Sequence, residues 1–259
     1  MYQLRRKLFS QNFLHNRKLV SKLVRSSSIG KNDLVLEIGP GKGIITEALL
    51  LQAQHVLAVE IDSHWYSYLH DRLGLVRDLT LFREDILNFK LPVLPYKVFA
   101  NIPFSIEGNV LRYLIDAKNP PIDCYLVVMK KFGYRMVAPY RENLFSLTHK
   151  PWFEFSLNHH FERTDFQPVP SVDSVMMRFV KRKQPILSWS ERDRYSKFLE
   201  IGFGHGLPVW QNLKKRFGID KTSRILSPMR INKTTRPTDL SLRDWGQLYK
   251  NFVNIFHIR

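Results

Sequence analysis

The apolar positions change period repeatedly over the first 130 residues of the chain. In NRKLVSKLVRSS, residues Leu19, Val20, Leu23 and Val24 recur at helical spacing with basic residues between them. DLVLEIG is then a short apolar run of strand length, followed by the glycine-rich GPGKG and by IITEALLLQA, which reads as a helix. HVLAVEID, LTLFRED, YKVFAN and CYLVVMKK read as further strands. SHWYSYLHDRLG, closed by Gly74, and SIEGNVLRYLIDA read as helices among them. Strands alternating with helices at this spacing predict βαβ units and a parallel sheet covered on both faces. FEFSLNHHFERTDF and SVMMRFVKR follow one another more directly and predict an antiparallel addition at the sheet edge. Between them QPVPSVDS reads as an extended, proline-bearing linker. Beyond Pro185 the texture shifts to short helical runs, SERDRYSKFLEIGF, WQNLKKRFG and LRDWGQLYKNFVNIF. The expected organisation is an α/β sheet domain over residues 1–180 and a small basic helical domain over 181–259.

Charge adds a partner to this picture. The 259-residue chain carries 40 Lys and Arg against 23 Asp and Glu, a net +17. Residues 181–259 hold 17 basic and 6 acidic side chains, so +11 of that total belongs to the helical region. A surplus of this size is the footprint of a polyanionic partner, most often nucleic acid. The clusters Arg5–Lys7, Lys181–Lys183 and Lys214–Arg216 are candidates for gripping phosphates. The lone cysteine, Cys124, sits inside the apolar run CYLVVM and reads as a buried small hydrophobe. No disulfide is possible within the chain, in keeping with a reducing, cytoplasmic setting. No apolar run has the length of a membrane span, and the basic N-terminus lacks the apolar core of a signal peptide.

Candidate chemistry gathers at strand ends. Gly39, Gly41 and Gly43 follow one strand and open a helix, the place where an open parallel sheet lets a ligand approach backbone. The nicotinamide-dinucleotide pattern fails, because Ile44 stands where its third glycine belongs. Glu60 ends the next strand, 21 positions after Gly39, where a carboxylate can accept both hydroxyls of a ribose. Asp85 closes the third strand; alone it fits either an adenine amino group or the cap of the following segment. Ile86 can pack on a base. The fourth strand ends in NIPF: an amide at Asn101, a carbonyl at Ile102 beside the rigid Pro103, and a ring at Phe104. An amide oxygen and a carbonyl can accept from an exocyclic amine, and a ring can stack on a base turned out of its helix. His149, His159 and His160 match no standard zinc spacing, so no metal is expected.

FSQNFL, EIGPGKG, AVEID, EDIL, NIPF and KPWFEF…FQPVPSVDS, in this order over residues 9 to 179, resemble the Erm rRNA adenine methyltransferases. The resemblance implies a Rossmann-like class I methyltransferase sheet, S-adenosylmethionine as methyl donor, and an adenine of 23S rRNA as acceptor. The expected consequence is resistance to macrolide, lincosamide and streptogramin B antibiotics. It further implies that Gln11, Asn12 and Leu14 line the cofactor pocket and that Gly39 and Gly41 lie against the methionine end. Glu60 would hold the ribose, Asp85 and Ile86 the adenine, and Ile61 would belong to the same cofactor site. Asn101 would face the amine near the sulfonium methyl, with Phe104 on the target base. The enzymes that dimethylate 16S rRNA of the small subunit share the fold, but usually carry NLPY and lack the tryptophan segment found here at Pro151–Phe155. This chain departs from both groups at Glu107–Gly108, where a Ser/Thr pair is common, and at KKFGYRM, where a Gln-x-Glu segment is usual. A 16S dimethyltransferase is the nearest rival reading; a non-catalytic nucleic-acid-binding factor on the same fold is the rival of another class. The chain is expected to act as a monomer, without membrane or metal.

Overall fold

The computed structural model describes residues 12–138, 141–229 and 231–257; Gln11 lies outside them. A short strand β1 (Phe13–Leu14) precedes helix α1 (Arg17–Arg25), which Asn16 caps by accepting from the Leu19 backbone N–H. The βα alternation then runs β2 (Leu34–Ile38), α2 (Ile44–Leu50), β3 (His55–Glu60), α3 (Ser63–Leu73), β4 (Leu79–Arg83), β5 (Lys97–Asn101), α4 (Glu107–Ile115) and β6 (Asp123–Met129). After α5 (Lys130–Val137) and α6 (Leu144–His149) come β7 (Phe153–Phe161), a two-residue β8 (Phe166–Gln167) and β9 (Ser174–Lys181).

Seven strands share one sheet in the order β4-β3-β2-β5-β6-β9-β7. The pairs from β4 to β6 are all parallel, and β9 runs antiparallel to β6 with Val127 opposite Met176. β2 and β5 read as near-continuous apolar runs because helices cover both faces. Val20, Leu23 and Val24 of α1 and Ile45 and Leu49 of α2 bury themselves with Val35, Val56 and Ala58 of the strands. Two arginines on different helices, Arg17 and Arg72, both pair with Glu47 of α2. Strand order reverses between β2 and β5. That switch point leaves a crevice beyond the carboxyl ends of the strands, where open α/β sheets take their ligands.

β1 and β8 form a separate two-stranded sheet, Phe13 opposite Gln167. His15 reinforces it, its N–H donating to the Asp165 carbonyl (3.1 Å) and its Nε2 lying 2.8 Å from the Thr164 carbonyl. The first segment of the chain is thereby strapped to the QPVPSVDS region.

The described residues fall into two compact units, one within Met1–Gly133 and Ser156–Lys181, the other within Tyr134–Phe155 and Arg182–Arg259. Residues 134–155, assigned on sequence to the first domain, thus group with the helices of the second. The tryptophan segment accounts for this. Trp152 is fully buried, its Nε1 donates to the Ser188 carbonyl, and its ring meets Trp189 at 6.0 Å and Tyr195 at 5.9 Å. The second unit continues with α7 (Arg192–Phe203), α8 (Val209–Phe217), α9 (Ile219–Leu226) and α10 (Leu242–Ile255). Its core is aromatic: Phe198 stacks on Phe252 at 4.9 Å, and Phe203 on Trp245 at 5.3 Å. Gly202 is required by this packing, because a Cβ there would run into the Trp245 ring.

Two further differences from the sequence reading concern element ends. Lys130 and Lys131 open α5 instead of extending β6. Helices α6 and α9 had no counterpart in the sequence reading; both are short, and α6 is set by a capping box between Asn143 and Ser146 rather than by a long apolar stripe.

Candidate active site

The crevice at the switch point is lined by Asn12, Phe13, Ile38, Gly39, Val59–Ile61, Glu84–Leu87 and Asn101–Ile106. The ends of β2, β3, β4 and β5 all contribute. Gly39 and Gly41 hold φ values of +66° and +53°, in the left-handed region that glycine reaches without a Cβ penalty. Open space lies where a Gly39 side chain would project, so the crevice reaches the backbone there. At Gly41 the reason for glycine is different: a Cβ would stand 2.5 Å from Cε1 of Phe13. Gly41 thus stands in a loop packed against Phe13, with its N–H donating to Glu60.

Glu60 fixes this loop. Its Oε2 accepts from the Gly41 N–H (3.0 Å) and its Oε1 from the Asp62 N–H (2.9 Å). Each carboxylate oxygen has a second lone pair, so the group can hold the loop and still accept two hydrogen bonds from a ligand. Burial raises the Glu60 pKa, and the N–H groups of Asp62 and Gly41 oppose that shift. Behind it, burial pushes Glu37 up to about 8; the nearby Glu60 charge adds to this and Thr46 pulls the other way. Ile61 is 50% exposed and Ile86 is buried, and both line the crevice. Asp85, which lines the crevice, uses Oδ1 to accept from the Leu87 N–H (3.0 Å), the local capping contact, and Oδ2 is left as a further acceptor.

Asn101 ends β5, and its Nδ2 donates to the Asn12 carbonyl at 2.8 Å. That bond sets the orientation of the amide and leaves Oδ1 as a free acceptor. Ile102 is buried, so its carbonyl is fixed beside Pro103. Phe104 opens a short 3-10 turn, Phe104–Ile106; its ring is half-buried on the wall and does not enter the core. Glu107 follows as the first residue of α4. Its Oε2 accepts from the Met129 N–H (3.0 Å) at the end of β6, and burial pushes its carboxyl up to about 7. The residue that departs from the family pattern therefore ties the NIPF turn to the neighbouring strand.

Of the residues expected here, Asn12, Gly39, Glu60, Ile61, Asp85, Ile86, Asn101, Ile102 and Phe104 converge on the crevice. Leu14 does not: it is buried in the hydrophobic core, and its neighbour Phe13 lines the crevice in its place. No sequence pattern marks Phe13 as a wall residue. Its packing edge-on against Trp65, ring centroids 5.2 Å apart, was not legible from QNFL. Among the described residues, no group of three His, Cys, Asp or Glu is placed to hold a metal, and no helix is long and apolar enough to cross a membrane.

Residues 2–253 match the family model described as ribosomal RNA adenine dimethylase. Similar curated proteins include ribosomal RNA small subunit methyltransferase A of Streptococcus agalactiae, 31% identical over 94% of this chain and 90% of the relative. The protein of the same name from Streptococcus pyogenes is 32% identical over the same shares. Among solved structures, the 23S rRNA methyltransferase ErmE superposes with a TM-score of 0.83 at 24% identity, over 93% of this chain and 99% of that one. A dimethyladenosine transferase from Plasmodium falciparum gives 0.79 at 23% identity, over 94% and 98%. The two superpositions establish the Rossmann-like fold with its C-terminal helical region. With the crevice at the sheet's switch point and a family match spanning nearly the whole chain, the protein belongs to the ribosomal RNA adenine dimethylase family of S-adenosylmethionine-dependent methyltransferases.

Proposed function

We propose that this chain methylates the exocyclic amine of one adenine in the peptidyl transferase loop of 23S rRNA, conferring macrolide-lincosamide-streptogramin B resistance. The observation that carries the chemistry is the Asn101 amide, which lines the crevice with Phe104 and whose Nδ2 is committed to the Asn12 carbonyl, leaving Oδ1 as the acceptor. The cofactor supplies an electrophilic methyl group whose bonding pair returns to sulfur on transfer. Glu60 would accept from its ribose hydroxyls, Asp85 from its adenine amine, and Ile61 and Ile86 would cover the adenine faces. Gly39 would let the methionine end lie close to backbone.

Asn101 Oδ1 and the Ile102 carbonyl would accept the two hydrogens of the target amine, localising a lone pair otherwise delocalised into the ring. Phe104 would stack on the flipped base. The nitrogen gains the methyl and becomes cationic, and only then sheds a proton to solvent. No strong base is needed at the site. The fit of residues to cofactor rests on the spare lone pairs of Glu60 and Asp85, the open space at Gly39 and the exposed Ile61.

The choice of 23S rRNA rests on NIPF and on the tryptophan segment Pro151–Phe155, which resemble the Erm enzymes. A second reading, methylation of 16S rRNA, is favoured by the curated relatives, which are small-subunit enzymes. Labelled methyl transfer to naked 23S rRNA, naked 16S rRNA and assembled small subunits, followed by primer extension, separates them. A stop at one adenine of the 23S peptidyl transferase loop is the expected result. Label confined to small subunits would replace the proposal with the second reading.

A further inference from the structure

In the helical unit, the surface of α8 carries a tryptophan between two lysines. Trp210 and Lys214 sit one turn apart on the same face of the helix, with Lys214 Nζ 5.1 Å from the indole centroid. Lys233 Nζ approaches the same ring to 5.0 Å from a turn over residues 232–235. That turn is pinned to the start of α8: Val209 N–H donates to the Thr235 carbonyl and Thr235 N–H to the Asn232 carbonyl, both at 3.0 Å. The two ammonium groups are therefore held near one ring by backbone, and both lysines are exposed. Neither has a carboxylate partner among the described residues.

The indole itself is also unsatisfied. Trp152 and Trp245 donate their Nε1–H groups to the carbonyls of Ser188 and Pro237. Trp210 Nε1 has no hydrogen-bond partner among the described residues and is only partly buried. Residues 209–233 contain seven basic side chains and one acidic, Asp220. The ring face attracts each ammonium, but the two repel one another, and among the described residues neither has a carboxylate partner to relieve that repulsion. A ligand that answers all of this has a flat π-face, a hydrogen-bond acceptor and flanking negative charge. An unpaired nucleotide with its neighbouring phosphates has these features, whereas an acidic peptide lacks the flat face.

We propose that Trp210, Lys214 and Lys233 form an RNA-docking platform on the helical unit, the indole stacking on an unpaired base and the lysines taking the phosphates beside it. The assignment rests on the reading of this chain as an rRNA methyltransferase, and it places a second RNA contact outside the crevice. It is a positioning surface. Its loss falls on RNA affinity and KM, with S-adenosylmethionine affinity kept.

The test is binding of the full chain to a fluorescent single-stranded RNA oligonucleotide and to a duplex of equal length, read by anisotropy. Lys214→Glu/Lys233→Glu is expected to weaken single-strand binding about tenfold or more. Lys214→Ala/Lys233→Ala should lower the slope of log K against log salt by about 1.4, two phosphates at about 0.7 each. Trp210→Ala should weaken the single strand about fivefold or more and the duplex less. The exposed pair Lys197→Glu/Lys250→Glu, equal in charge change, is the control. The platform is overturned if that control loses as much affinity, or if Trp210→Ala affects strand and duplex alike. It is also overturned if the charge-reversed variant binds the single strand as tightly as the parent. Melting temperatures of all variants verify folding. Failure of the methyltransferase reading would instead appear as parent protein that binds RNA through this platform but labels no rRNA.

Discussion

The crevice of the sheet and the face of α8 both carry charged and aromatic groups, yet they hold them in opposite ways. In the crevice three polar side chains are already bonded to backbone: Glu60 to Gly41 and Asp62, Asp85 to Leu87, Asn101 to Asn12. Each retains acceptor capacity on a group whose orientation is set by the bond it has made. At α8, Lys214 of the helix and Lys233 of the neighbouring turn rest against Trp210 on long, exposed stems with no carboxylate partner among the described residues. The first arrangement suits a reaction that demands alignment. The second suits a flexible polyanion, where affinity comes from charge and stacking and geometry can adapt.

That contrast can be broken by substitutions in the crevice. Asn101→Ala is expected to lower kcat about 100- to 1000-fold in single-turnover methyl transfer; retention of the parental rate would remove the amide from the chemistry. Glu60→Ala should weaken S-adenosylmethionine binding about tenfold or more, because it deletes two charged acceptors and leaves two N–H groups unpaired. Calorimetry giving equal affinity would unseat the assigned pocket. Phe104→Ala should cut transfer to RNA about tenfold while sparing cofactor affinity, and Phe104→Tyr should restore most of it.

Smaller effects sharpen the energetic side. Gly202→Ala forces a methyl into the Trp245 ring and should cost about 1–3 kcal/mol by overpacking, read as a lowered melting temperature. Glu37 gives the pH dependence. Burial holds its folded pKa at about 8, above the ordinary glutamate value of 4.5, so the folded chain keeps a proton that the unfolded chain releases. Its contribution to stability is complete below the lower value and is lost as pH rises towards the upper one. Glu37→Gln should flatten the fall in melting temperature between pH 5 and pH 8, and an unchanged slope would assign that fall to other groups.

Much of this was legible in the sequence because strand ends in a parallel sheet are marked by abrupt changes of residue type. Gly39, Glu60, Asp85 and Asn101 each terminate an apolar run, and four such ends in a βαβ chain must lie along one edge. What could not be read depended on tertiary partners. Leu14 and Phe13 differ by one position, and only the pairing of β1 with β8 decides which of them faces the crevice. The segment Pro151–Phe155 reads as part of the sheet domain until Trp189 and Tyr195 are seen to enclose Trp152. Glu107 stood out on sequence only as a departure; its bond to the Met129 N–H joins residues that no local pattern connects.

The strap between the first strand and residues 164–167 has a consequence for synthesis. His15 bonds to carbonyls 149 and 150 positions later in the chain, and the backbone that orients Asn101 belongs to this same strap. A polypeptide leaving its own ribosome cannot close that pairing until two thirds of its length has emerged. The growing chain would therefore gain a nearly complete Gly-loop sheet well before the amide at its edge was locked in place.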